Sequence, residues 1–156
     1  MATEEFSALV SRVTGRIEGL TLDDRLDALL NREFGPGSAE FDGIFAACRT
    51  AVGEGWMCNR EAGGIRFGRV IKPGSATHGF SVDVVDMNDC RGPHHRHPNG
   101  EIDMIMPLEG EAKFDGRGKG WLVYAPDTAH FPTVSGGRAL VLYLLPGGTI
   151  EFTQKS

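Results

Sequence analysis

The chain has 156 residues, 40% of them hydrophobic and 24% charged, which suits one domain with a single buried core. A formal charge of −5 and the absence of any dense Lys/Arg run exclude a nucleic-acid surface as the expected partner. Three cysteines (Cys48, Cys58 and Cys90) without C-x-x-C spacing fit free thiols in a reducing compartment, not a disulfide framework.

The start, Met-Ala-Thr-Glu-Glu-Phe, lacks the basic and apolar segments of a secretory signal. No apolar run approaches the ~18 residues that cross a bilayer, so the expectation is a cytoplasmic protein with no membrane partner. Phe6, Val10, Val13, Ile17 and Leu20 recur at helical spacing. Thr21 reads as the N-cap of a second helix, with Asp23 and Asp24 in its first turn. Leu22, Leu26, Leu29 and Leu30 form its apolar stripe, and Gly35-Pro36-Gly37 stops it. Ser38 caps a third helix whose Phe41, Ile44, Phe45, Cys48 and Val52 face inward, ending near Gly53.

After Trp56 the pattern changes to short strands and Gly/Pro turns. Strands are expected at 65–71, 80–87, 101–107, 111–114, 121–124, 139–145 and 149–152, separated by turns such as Lys72-Pro73-Gly74, Asp115-Gly116-Arg117-Gly118 and Ser135-Gly136-Gly137. Short strands so spaced indicate an all-β barrel or sandwich. Residues 1–55 are then a helical segment packed on a β-barrel of residues 56–156.

The chemistry concentrates in Gly92-Pro93-His94-His95-Arg96-His97-Pro98-Asn99-Gly100-Glu101. On a strand His95 and His97 point to one face, and Glu101, beyond a short turn, can fold back to join them. Imidazole with carboxylate suits Fe, Mn, Ni or Zn better than Mg or Ca. A further histidine, His130, follows Pro126 in a second strand region.

His95-x-His97-x-x-x-Glu101 resembles the first motif of the cupin superfamily, and Gly120, Pro126 and His130 resemble its second. Leu108 stands where the first motif usually carries glycine, and the Pro126-to-His130 interval is one residue shorter than usual. The resemblance implies a mainly β, double-stranded β-helix (jelly-roll) barrel with His95, His97, Glu101 and His130 around a divalent metal. A narrower resemblance covers most of the chain. The helical start, His95-Arg96-His97-Pro98-Asn99-Gly100-Glu101-Ile102-Asp103, Gly120-Trp121-Leu122-Val123-Tyr124 and Ala139-Leu140-Val141-Leu142-Tyr143-Leu144-Leu145-Pro146 are similar to the p-hydroxylaminobenzoate lyases of nitroaromatic breakdown. These convert 4-hydroxylaminobenzoate to protocatechuate with release of ammonia.

On that reading Glu101, Asp103 and His130 are the catalytic candidates. Asp103 shares a strand face with Glu101, and a carboxyl beside another inside a barrel has a raised pKa. His94 points opposite to His95, toward solvent or a supporting role; His78, in a Gly/Ser/Thr turn, is expected exposed and without a role. Arg66, Arg69, Arg91 and Arg96 are candidates to clamp a substrate carboxylate, with Arg66 and Arg69 facing opposite ways and Arg96 facing away from the site. Trp121 and Tyr124 are candidates to stack on an aromatic ring, against the alternative that both are core. Cys90 is most simply a small buried hydrophobe.

Three functions fit: a cupin-type lyase on a small aromatic acid, metal-dependent or working by side-chain proton transfer alone; a metal-dependent cupin dioxygenase on an aromatic or thiol substrate; and a non-catalytic cupin that binds a small acid. A homodimer through the amphipathic helices is a further expectation.

Overall fold

A computed structural model describes residues 2–153 of the chain. Among the described residues three helices come first, α1 (Ala2–Ile17), α2 (Asp24–Glu33) and α3 (Ala39–Glu54). The apolar spacing translates directly into burial: Phe6, Val10, Val13, Ile17, Leu26, Leu30, Phe41, Ile44 and Cys48 are all buried. Leu20 lies beyond the last turn of α1 and is exposed.

The cap of α2 is Asp23, not Thr21. Its carboxylate accepts from the N–H groups of Arg25 and Leu26, both at 3.0 Å, and its charge also suits the positive end of the helix. Ser38 caps α3 as expected, its hydroxyl accepting from Phe41 N. The helix runs on to Glu54, where Gly55 closes it in a left-handed conformation.

Nine strands follow among the described residues: β1 (Arg60–Ala62), β2 (Ile65–Ile71), β3 (Phe80–Arg91), β4 (His95–His97), β5 (Glu101–Phe114), β6 (Gly120–Tyr124), β7 (Thr128–His130), β8 (Thr133–Pro146) and β9 (Glu151–Phe152). One sheet has the order β1-β2-β3-β8-β5-β6 and the other β7-β4-β9, with antiparallel pairing throughout. The β3-β8-β5-β6 order, with the chain leaving β3 for β4 in the opposite sheet and returning to β5, is that of a jelly roll. The mainly β architecture with an N-terminal helical segment is the one the sequence implies.

Two expected breaks are not chain reversals. Residues 101–107 and 111–114 form one strand, β5, with register shifts against β8 between Pro107 and Glu109 and between Gly110 and Lys113. Gly110 therefore bends the strand without ending it, as bulges do. Likewise Ser135-Gly136-Gly137 lies inside β8. At Gly137 φ is +150°, and a Cβ would sit 2.0 Å from Glu109 O, so only glycine permits this approach.

The large sheet is buried on both faces, and side-chain parity decides what each face holds. Val82, Val84, Ile102, Met104, Met106, Trp121, Leu140, Leu142 and Leu144 share a core with the helices. Met87, Ile105, Val141, Tyr143 and Leu145 form a second core inside the barrel. Two polar side chains of β5, Glu101 and Asp103, share that inner parity and are fully buried. Among the described residues no helix is long and apolar enough to cross a membrane.

Candidate metal centre

Strand alternation on β4 turns His95 and His97 inward, both buried. Arg96 between them points out, paired with Asp127 and Glu151. The chain then turns at Pro98-Asn99-Gly100, where Gly100 N donates to His97 O at 3.1 Å. Gly100 has φ +89°, and a Cβ there would lie 2.8 Å from Tyr124 O. This tight turn brings Glu101 back under the two imidazoles. The fourth group arrives by pairing across the small sheet, because His130 of β7 lies opposite His95.

The candidate ligand atoms of His95, His97, Glu101 and His130 all lie within 4.8 Å of one another. Glu101 Oε1 is 3.1 Å from His95 Nε2 and 3.5 Å from His97 Nε2, and Glu101 Oε2 is 3.5 Å from His130 Nε2. His97 Nε2 and Glu101 Oε2 are buried without a hydrogen-bond partner. Buried polar atoms are seldom left so, and three imidazoles with one carboxylate are a donor set for Fe, Mn, Ni or Zn. The residues present therefore fit a divalent ion.

Surrounding groups aim the imidazoles. The Thr128 hydroxyl donates to Ala125 O at 2.7 Å, so it accepts from His97 Nδ1–H, also at 2.7 Å. That leaves His97 Nε2 with its lone pair toward the centre. Asp115 does the same for His130: its Oδ2 accepts from His130 Nδ1 and from the Tyr124 hydroxyl, while its Oδ1 accepts from Thr133 N. Such outer partners fix ring orientation and tautomer. Asp115 was missed in the sequence, where it reads only as the first residue of a turn; it sits there at φ +50°.

The groups of the cluster lie close enough to set one another's charge. Burial, with the neighbouring His130 and His95, pushes His97 down to about 4 against the pull of Glu101, so its ring is neutral near pH 7. Burial disfavours charge on His130 too, yet its hydrogen bond to Asp115 and the nearby Glu101 carboxylate hold it up to about 9, so an ion bound at Nε2 would displace a proton. Burial opposes charge on Glu101, but the nearby His130 and a hydrogen bond from His95 keep it below the usual carboxylate range. Asp103 is raised well above it by burial and by the charge of Glu101, and neither of its oxygens has a partner.

A cavity of about 380 Å³ opens beside the cluster, reaching it through His95 and Tyr143. Ile65, Phe67, Val85, Met87, Pro132 and Phe152 form apolar walls, a size and character suited to a small aromatic molecule. Arg69 lines it as well, forked onto Asp83 at 2.8 and 3.1 Å.

Other sequence candidates lie elsewhere. Arg66 points to the opposite face of β2, into a separate polar recess with Asp86 and Arg138, because it is one residue out of phase with Phe67. Trp121 faces the helices, its indole N–H donating to Phe34 O and its ring edge-on to Phe41, so it belongs to the core and not to the cavity. Tyr124, three residues on, has the other parity and packs against His97 and His130, with ring centroids at 5.3 and 4.6 Å. Arg91 lies over the Phe131 ring, and His94 packs edge-on against the same ring and bonds Thr153. His78 is half-buried, not exposed, bonding Thr14 Oγ1 at 2.8 Å and so tying a turn to α1. Cys90 is half-buried against the inner core.

A jelly-roll barrel with three histidines and a glutamate gathered inside defines a protein of the cupin class. Among solved structures, oxalate oxidase in complex with a substrate analogue, glycolate, is similar at 23% identity and a TM-score of 0.43, over 60% of this chain and 57% of that one. The family model "PnbB: 4-hydroxylaminobenzoate lyase" matches residues 8–152. A 4-hydroxylaminobenzoate lyase of Nocardioides sp. (strain LMS-CY) is 32% identical, covering 87% of this chain and 86% of its own. One from Pseudomonas putida is 30% identical, covering 96% and 94%. The chain belongs to the 4-hydroxylaminobenzoate lyase family and is an enzyme of that kind.

Proposed function

We propose that the chain converts 4-hydroxylaminobenzoate, or a closely related hydroxylamino aromatic acid, to protocatechuate and ammonia at the His/Glu cluster. The observation that carries this reading is a buried four-donor cluster at the end of a cavity of aromatic size in a member of that family. The overall change is hydrolytic: substrate and one water give the catechol acid and ammonia, with no external oxidant.

The chemistry moves protons at every step. The hydroxylamine oxygen takes a proton and leaves as water, making the ring electron-poor. Water adds at the carbon beside the nitrogen-bearing one and loses a proton, leaving an imine. A second water hydrolyses that imine, ammonia departs, and the ring C–H proton moves to the new carbonyl oxygen, which restores aromaticity. Proton donation and removal at these atoms fall to Asp103, and to Glu101 and His130 when their donor atoms are not engaged by an ion. Tyr124 holds the imidazole side of the cluster in place through Asp115. His95, His97, Glu101 and His130 would hold a divalent ion, which supplies Lewis acidity and an activated water when bound. The apolar walls keep bulk water from the reactive ring.

The test is anaerobic incubation with 4-hydroxylaminobenzoate, following ammonia and protocatechuate, before and after dialysis against a chelator. Stoichiometric formation of both products is expected without dioxygen, with loss on chelation and return on adding Fe, Mn, Ni or Zn. Folded, metal-replete protein that yields neither product would reject the assignment; a strict need for dioxygen would move it to the oxygenases.

A further inference from the structure

Accepting the proposed acid substrate, the cavity leaves open which cation holds its carboxylate. Arg69 has the position, but Nε and Nη2 are committed to Asp83, and Nη2 also donates to Gly148 O at 3.2 Å. Arg66 is turned to the other face, Arg91 lies on Phe131, and Arg96 is paired outside the barrel.

One arginine not singled out by the sequence remains. Arg60 lines the cavity from the edge strand β1, and among the described residues no carboxylate lies within ion-pair distance of it. Its place follows from register. Arg60 pairs with Phe67, Phe67 with Val85, and Val85 with Val141, so the first three form one inward row across β1, β2 and β3. In the adjacent row Arg69, Asp83 and Tyr143 lie side by side. Neighbouring strands are about 4.8 Å apart. A benzene ring lying over Phe67 and Val85 therefore has Arg60 at one end and the Tyr143–His95 side at the other. With Arg69 and Asp83 cancelling, Arg60 is the unbalanced Arg, Lys, Asp or Glu charge of the lining among the described residues, and it is positive.

We infer that Arg60 is the specificity-determining residue that captures the substrate carboxylate, so that the para substituent points at the His/Glu cluster. A guanidinium gives a carboxylate two parallel N–H donors, whereas a neutral amide substituent offers it far less. This selects para-substituted benzoates over their uncharged analogues. Arg60 is exposed and lies on a short edge strand, so its replacement leaves both cores intact.

The experiment measures binding of 4-aminobenzoate and 4-aminobenzamide by calorimetry to wild type, Arg60→Gln, Arg60→Lys and Arg69→Gln, with lyase assays beside it. Wild type is expected to prefer the acid. Arg60→Gln should weaken acid binding about ten- to hundredfold, the range of a lost charge-assisted contact in this setting, with the amide changed less than about threefold. Arg60→Lys should recover part of the loss, and the lyase KM for 4-hydroxylaminobenzoate should rise more than kcat falls. Unchanged acid preference in Arg60→Gln, or its loss only in Arg69→Gln, overturns the inference even if lyase activity is present. Arg60-dependent acid binding without any ammonia release would leave the carboxylate site standing and remove the lyase reading instead.

Discussion

Asp115→Asn is the most informative single change. Asp115 accepts three hydrogen bonds, two at Oδ2 from His130 Nδ1 and the Tyr124 hydroxyl, and one at Oδ1 from Thr133 N at 2.9 Å. An amide has the same shape and tolerates the left-handed backbone at φ +50°, but it accepts on one side only. If its oxygen faces Thr133, its NH2 meets His130 Nδ1, which must then accept, and the ring proton moves to Nε2 and points into the cluster. If the amide is turned over, NH2 opposes the Thr133 N–H and leaves a half-buried donor unpaired, at a cost of about 1 kcal/mol. In the first case His130 can no longer present a lone pair. Losing such an outer partner typically costs about 10- to 100-fold in metal affinity or activity. The assay is metal content after dialysis at graded chelator concentrations, ammonia release, and thermal unfolding on the same samples. Asp115→Asn with wild-type metal retention and wild-type turnover would refute the argument that Asp115 sets the tautomer of His130.

Three further outcomes are expected. Thr128→Val keeps the side-chain shape but removes the acceptor of His97 Nδ1–H, so it should lower metal affinity about 10- to 100-fold; unchanged chelator resistance would remove Thr128 from the site. Phe41→Ala empties a fully buried position against Trp121 on the helix side of the sheet and should cost about 3–5 kcal/mol in denaturant unfolding, with metal binding per folded molecule unchanged. Burial pushes the Cys58 thiol up to about 12, with Asp86 adding to the effect. A group that holds its proton longer folded than unfolded contributes stability below the unfolded thiol value of about 8.5. That contribution is lost as pH climbs toward about 12. Cys58→Ala should flatten the alkaline fall in stability, and an unchanged slope between pH 9 and 11 would contradict it.

The half of the site that rests on local geometry was legible in the sequence. Two histidines at strand spacing share a face by parity alone, and a proline–asparagine–glycine turn returns the chain so that Glu101 can join them. Helical burial was legible for the same reason, since Phe6 to Ile17 and Phe41 to Cys48 repeat at the period of a helix. His130 was nameable only through its resemblance to a second motif; what brings it to His95 is pairing between β7 and β4, separated by 35 residues. Reading Trp121 and Tyr124 together as stacking candidates overlooks that their parity differs. Parity told that Arg66 and Arg69 face opposite ways, but not which face of the sheet the helices cover. That choice put Trp121 in the core and Arg66 outside the cavity. Asp115 and Arg60 gave no local signal, because the role of each depends on partners brought near by strand pairing, through Thr133 and His130 for one and Phe67 for the other. Periodicity and turns act over a few residues and are written in the chain itself, whereas the lining of a barrel is set by which strands meet and which face is covered, and only the folded molecule decides that.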